Sequence, residues 1–267
     1  MKVIFKHPVP TTTAHQARTQ LFQNTRRPNH GRRQFKSKNT KVIVDGKLGQ
    51  RHADVLESIM FCAQEKGQLE DGRIKILVDP YHVRRHANVS GAQFSELLKE
   101  LMGAVVEIQI MNKNIKSIGH LVDHICEAKT HTGEGIRRHN PLGGDRPIWR
   151  VELGKALTDM LASDIWITYD PFPISLMRHG ISQAITRHVL SHKNVPRGGW
   201  HMDVLIQAVS GDLTNQQMRD RRRELRSDSS NLEGFGIRLL DDDRVQWARV
   251  NNPSTRGANA RKRGANA

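Results

Sequence analysis

The sequence predicts an α+β fold of two tandem winged-helix domains with flexible basic N- and C-terminal arms, and three observations predict it. Apolar periodicity writes helix, strand, helix, helix, strand, strand across residues 48–125, and the order of three helices and a hairpin returns across residues 174–250. The segments outside those runs are basic and aperiodic. The 267 residues carry a formal charge of +15 with a pI of about 10.3, a field that steers the chain toward phosphate and makes binding fall steeply with salt. That length suffices for two small domains, each with its own core.

Residues 1–44 contain no acidic residue, while Lys6, Arg18, Arg26, Arg27, Arg32, Arg33, Lys36, Lys38 and Lys41 recur among prolines, threonines and glutamines. They read as an arm that stays disordered until it meets phosphate. A transit peptide needs an amphipathic helix, which Pro8, Pro10 and Pro28 break. Gln20-Leu21-Phe22 resembles the short peptides that dock on a replicative sliding clamp; its other reading is an anchoring strand of the fold. No apolar run approaches membrane-spanning length and no signal-peptide core follows the start, so a cytoplasmic protein without a membrane partner is expected.

Residues 45–128 form the expected first winged helix. Val55, Ile59, Phe61, Cys62 and Ala63 recur at helical spacing as far as Gly67, a natural stop. After the Asp71-Gly72 turn, Ile74, Ile76 and Val78 alternate as a strand. Asp79 and Pro80 then open a second helix through His86. Ser90 and Gln93 form the capping box of a third, with Phe94, Leu97, Leu98 and Leu101 as its core stripe and Gly103 at its end. Residues 104–110 and 115–125 read as a hairpin over Asn112-Lys113-Asn114, and residues 129–146 as a linker or loop.

Residues 147–250 form the expected second winged helix. It opens with strand 148–153, short helix 154–162 and strand 165–169, closed by Pro171 and Pro173. Ile174, Met177, Ile181, Ile185 and Val189 mark a long helix through His192. Trp200 follows a Pro-Arg-Gly-Gly turn, and helix 201–209 turns Met202, Leu205, Ile206 and Val209 inward. The next helix, 214–232, starts at a Thr214–Gln217 capping box and aligns Met218, Leu225 and Leu232 on one face. Strands 237–240 and 245–250 flank Asp241-Asp242-Asp243. The tail 251–267, in which Arg261-Lys262 joins two Arg-Gly-Ala-Asn-Ala repeats that start at Arg256 and Arg263, reads as a basic, mobile segment.

Catalytic motifs are missing. There is no Gly-rich loop ending in Gly-Lys-Ser/Thr, no His-x-His to hold a nicking metal, and tyrosine occurs only at 81 and 169. His120, His124 and Cys126, and the pair His188 and His192, have metal-like spacing but lack the remaining ligands, so neither a metal nor another cofactor is expected. Cys62 and Cys126 read as buried, reduced small hydrophobes. A DNA-binding protein without enzymatic activity is the expectation.

Charge separates the two third helices. The first presents Glu96 and Glu100 beside Lys99, which would repel a phosphate-lined groove. The second presents Asn215, Gln216, Arg219 and Arg223, groups that pair with adenine or guanine edges. Arg222 and Arg226 flank them as expected phosphate contacts, and Asp220 either accepts from cytosine or orients an arginine. Arg32 and Arg33 of the arm, with Arg84 and Arg85, are further expected backbone contacts. The acidic tip at Asp241, Asp242 and Asp243 implies a wing that stays out of the groove.

The layout resembles the plasmid replication initiators with tandem winged helices, most closely the TrfA-like group, across residues 17–249. The stretches that carry the resemblance are the entry Ala17-Arg18-Thr19-Gln20-Leu21-Phe22, the helix that begins at Leu48-Gly49-Gln50-Arg51-His52, helix 175–192 with its Ser191-His192-Lys193 end, and helix 213–232 running into a hairpin. The resemblance implies binding of double-stranded DNA at origin direct repeats, origin opening, and recruitment of the host initiator and replicative helicase. It also implies dimerisation and backbone contact through the first winged helix and base reading through the second. A winged-helix transcriptional repressor and a basic RNA-binding or ribosome-associated structural protein are the alternatives; few aromatic residues argue against a single-strand stacking platform.

Overall fold

The acid-free opening segment is not an arm. In the computed structural model, which describes residues 9–37, 39–139 and 143–249, its Val9, Leu21, Phe22, Val42 and Val44 enter the core of a first unit. Thr12–Thr13 (β1) leads into Ala14–Arg18 (α1), where Thr13 and Gln16 exchange capping bonds. Gly31–Lys36 (β2) pairs antiparallel with Thr40–Gly46 (β3). Side chains of β2 alternate between half-buried and exposed, a period of two that its arginines obscure in the sequence. Leu21 is 1% and Phe22 8% exposed, and burying each contributes about 1.5–3 kcal/mol. Gln20-Leu21-Phe22 is therefore an anchor of the fold and offers no free peptide to a sliding clamp. Residues 1–8 and the tail 251–267 lie outside the described residues.

Gln50–Phe61 (α2) stops at Cys62, ahead of the expected Gly67, because Glu65–Gln68 (β4) forms a hairpin with Ile74–Val78 (β5). Gly67 sits inside that ladder opposite Lys75, and Gly72 at φ +84° makes the turn. Pro80–His86 (α3) and Gly91–Gly103 (α4) begin at the expected caps, Asp79 and the Ser90–Gln93 box. Val105–Ile110 (β6) and Ile115–Gly119 (β7) form the expected hairpin, with Asn114 in left-handed backbone at φ +50°. Its second arm is shorter than expected, since Val122–Glu127 (β8) leaves for another sheet.

The expected linker holds a short ribbon, Arg137–His139 (β9) on Asp145–Pro147 (β10). Trp149–Leu153 (β11) then inserts between β5 and β8, so the first unit has two sheets, β2-β3-β6-β7 and β4-β5-β11-β8. Lys155–Ser163 (α5) follows, and Val151, Leu153, Leu157 and Leu161 all join the first core. The boundary expected after residue 146 is thus displaced: β11 and α5 complete the first unit. Trp166–Ile167 (β12) pairs with β1.

The second core runs from Met177 to Trp247. Phe172–Ser175 (α6) and Gly180–Leu190 (α7) replace the single long helix expected there, and Trp200–His201 (β13) precedes Met202–Ser210 (α8). Asn215–Ser227 (α9) and Ser229–Glu233 (α10) likewise divide the expected helix 214–232, before Ile237–Leu239 (β14) and Arg244–Trp247 (β15). One side chain joins both breaks: buried Asp228, between α9 and α10, accepts from the amides of Arg178 at 3.2 Å and His179 at 2.9 Å ahead of α7. The sheet order is β13-β15-β14.

Buried charge joins the units where α2 meets α7. Arg187 donates to Asp54 at 2.6 Å, to both oxygens of Glu57 at 2.9 and 3.0 Å, and to Gln50 at 2.8 Å. Gln183 donates to Asp54 at 3.1 Å, and the Tyr169 hydroxyl to Glu57 at 2.7 Å. Burial pushes both carboxyls up, with Arg187 opposing it. Close by, a Cβ on Gly49 would lie 2.6 Å from the Thr25 carbonyl oxygen, and one on Gly180 2.6 Å from the Thr25 Cα. Residue 25 threads between the starts of α2 and α7 where no side chain fits.

Candidate nucleic-acid interface

Helix α9 forms because its start is closed locally and its inner face is apolar. Thr214 accepts from the Gln217 amide, Gln217 accepts from the Thr214 amide at 2.9 Å, and Leu225 is fully buried with Met218 half-buried beside it. Replacing Thr214 by alanine removes one capping bond, and a urea melt should show a loss of about 1 kcal/mol. The outer face carries Asn215, Gln216, Arg219 and Arg223, all exposed. Asp220 accepts from Arg223 at 2.9 Å and from Gln216 at 3.4 Å, so it orients two of the expected reading groups. The Arg219 side chain has no hydrogen-bond or ion-pair partner among the described residues.

Two expected phosphate contacts are otherwise engaged. Arg222 grips Asp203 of α8 with a 2.6 Å bond from Nε and a second from its terminal nitrogen, and that hydrogen bonding holds the Asp203 carboxyl below the usual range. Arg226 bonds to Asp243, which also lies 4.0 Å from Arg222. The acidic hairpin tip is explained by the same contacts: Asp243, at φ +59°, turns back onto α9, and its carbonyl accepts from the Met202 amide at 2.8 Å. Arg222 and Arg226 thus tie α9 to α8 and to the hairpin; sequence spacing shows a helix face but not the acids that meet it from other elements.

The remaining expected contacts sit on the first unit. Arg33 donates to the carbonyls of Gln20, Leu21 and Leu48 at 3.3–3.5 Å, a structural role that the reading as a free arm missed. Arg32 is exposed on β2. Arg85 is exposed in the last turn of α3, and Arg84 lies 5.9 Å from the Tyr81 ring. In α4, Glu100, expected to face outward, bonds to Lys47 at 2.7 Å and to His52 at 2.7 Å.

His188 and His192 have ring centroids 4.7 Å apart, and burial pushes His188 down to about 4. Among the described residues no three His, Cys, Asp or Glu gather as a metal site. Cys62 and Cys126 are free and half-buried, less enclosed than expected, and burial pushes the Cys62 thiol up to about 12. Among the described residues no helix is long and apolar enough to cross a membrane.

Fold and site together define a mixed α+β protein of two cores that presents one basic helix at the surface of the second. In fold it is similar to domains 2 and 3 of RctB, with a TM-score of 0.53 at 11% identity, over 88% of this chain and 96% of that one. No family model matches the chain, and no curated protein matches it in sequence.

Proposed function

We propose that the chain initiates DNA replication by binding duplex origin DNA through α9. The observation that carries this reading is the exposed Gln216–Arg219–Arg223 face on the third helix of the series α7, β13, α8, α9, β14, β15. That order, with β13 joining the hairpin's sheet, fits a winged helix whose third helix enters the major groove. RctB, whose domains 2 and 3 share the fold, is a replication initiator, which supports the same role here. The first unit fits a winged helix less closely: β5 stands in the place of β13 but joins β4 and β11, while hairpin β6–β7 extends β2-β3. In this reading the target is a set of direct repeats at a plasmid origin, and the host initiator and replicative helicase are recruited to the opened DNA. The first unit contributes dimerisation and backbone contact. The protein works in the cytoplasm and binds without chemistry of its own.

Selection of bound duplexes from a random pool, repeated with Arg219→Ala and Arg223→Ala, tests the reading. Each variant should lose about 1–3 kcal/mol of discrimination at one base position. Equal weakening on every sequence excludes base reading by α9. Recovery of a site that recurs as direct repeats beside the gene supports initiation, whereas a lone palindrome at the promoter contradicts it.

A further inference from the structure

We infer that the cleft between the two units is a phosphate-binding groove that takes the sugar–phosphate backbone of the duplex α9 reads; the inference rests on that reading of α9. The cleft, of about 640 Å³, is lined by Arg26, Arg27 and Arg51 from the first unit and by Arg178 and Arg221 from the second. Its one carboxylate, Glu224, is already held by Arg221 at 2.7 Å. The side chains of Arg27, Arg51 and Arg178 make no hydrogen bond or ion pair among the described residues. Arg26 donates to the Met177 carbonyl at 3.1 Å, while its buried Nε has no partner. The Arg51 guanidinium is pushed down by burial and then by Arg26, with Asp54 opposing and Arg27 adding to the shift, so a polyanion in the groove relieves the repulsion among these arginines.

The backbone builds this cluster. Gly49 and Gly180 pinch Thr25, which sets Arg26 and Arg27 between the starts of α2 and α7, and Asp228 fixes the Arg178 amide beside them. Along α9 at 100° per residue, Glu224 flanks the Gln216–Arg219–Arg223 face on one side, with Arg221 farther round toward the buried stripe, and Arg222 and Arg226 lie on the other side. The latter side is neutralised by Asp203 and Asp243 and the former by the Arg221–Glu224 pair, so the unpaired positive charge of the cleft is carried by Arg27, Arg51 and Arg178. Guanidinium forks match phosphate oxygens. His179 is the cleft's one aromatic ring, so no platform for a free nucleotide's base accompanies the arginines, which favours a polymer backbone.

The test is duplex affinity against salt for the triple variant Arg27→Gln, Arg51→Gln, Arg178→Gln, with Arg26 kept because it bonds to Met177. The log–log slope should fall by about 0.9 for each phosphate contact removed, by the same amount on all sequences. The triple lysine variant at these positions should retain the slope, and a melting temperature near wild type shows that each variant is folded. An unchanged slope while Arg219→Ala still loses discrimination overturns the groove and leaves the α9 reading intact. A lowered slope with discrimination untouched by Arg219→Ala and Arg223→Ala overturns the α9 reading instead. Stabilisation of wild type but not the triple glutamine variant by pyrophosphate, with the DNA slope unchanged, assigns the cleft to a small phosphate compound and overturns the backbone proposal.

Discussion

Replacing Arg187 by alanine should lower the folding stability by about 3–5 kcal/mol, the cost of leaving buried carboxylates without their counter-ion. Asp54 and Glu57 are each under 5% exposed, and Arg187 is the guanidinium that reaches both. The loss should depend on pH, and its sign follows from the raised carboxyls. A raised carboxyl binds its proton more tightly in the folded state, so the stability it contributes is full below the unfolded value, about 4, and is lost as pH rises through the folded value. Without Arg187 that folded value rises further, so the deficit of the variant should be greatest near pH 8 and shrink toward pH 5. Urea melts at the two pH values measure it. Neutralising the acids as well, with Asp54→Asn and Glu57→Gln beside Arg187→Met, should recover much of the loss, because the charge that alanine strands is then absent. A deficit in Arg187→Ala of under 1 kcal/mol at both pH values would show that the junction does not depend on this network.

Local chemistry is what the sequence displays, and the structure keeps most of it. The caps at Asp79, Ser90 and Thr214 stand where spacing put them, because a cap is decided within four residues. The apolar stripe of α4 and the inward set of α8 are buried as read. What failed is non-local. Asp54 and Glu57 lie more than a hundred residues from Arg187, and nothing near either end marks the pairing. The charge of the opening segment concealed the alternation of β2 and the anchors Leu21 and Phe22. Asp228 read as one more polar residue in a continuous helix, although its carboxylate caps two amides ahead of α7. At the interface, the outer face of α9 was legible from its 100° periodicity. The diversion of Arg222 and Arg226 to Asp203 and Asp243 was not, since those acids come from other elements. Arg51 and Arg178 did not read as one cluster for the same reason: they become neighbours only when α2 and α7 start side by side.

Adding one methyl group at that point should damage stability, and binding as well if it unseats residue 25. Gly180→Ala places a Cβ 2.6–2.8 Å from the Cα and carbonyl carbon of Thr25 and the carbonyl oxygen of Asn24, and all three are backbone atoms that no rotamer change can move aside. The expected cost is about 1–3 kcal/mol, and the same holds for Gly49→Ala, which meets the Thr25 carbonyl oxygen and the Pro28 ring. Because the two methyls press on one residue from opposite sides, their effects should not add. Displacing residue 25 away from α7 drives it into α2, so the double variant should lose more than the sum if the segment stays seated. If the segment is expelled, the second methyl meets empty space and the double variant should lose less. Salt dependence separates these outcomes: expulsion carries Arg26 and Arg27 out of the cleft and lowers the DNA slope, whereas a seated segment keeps it. Trimming Thr25 to alanine should rescue neither single variant, since the clash is with its backbone. Strict additivity, or rescue by that trim, would show that the two glycines do not pinch this residue.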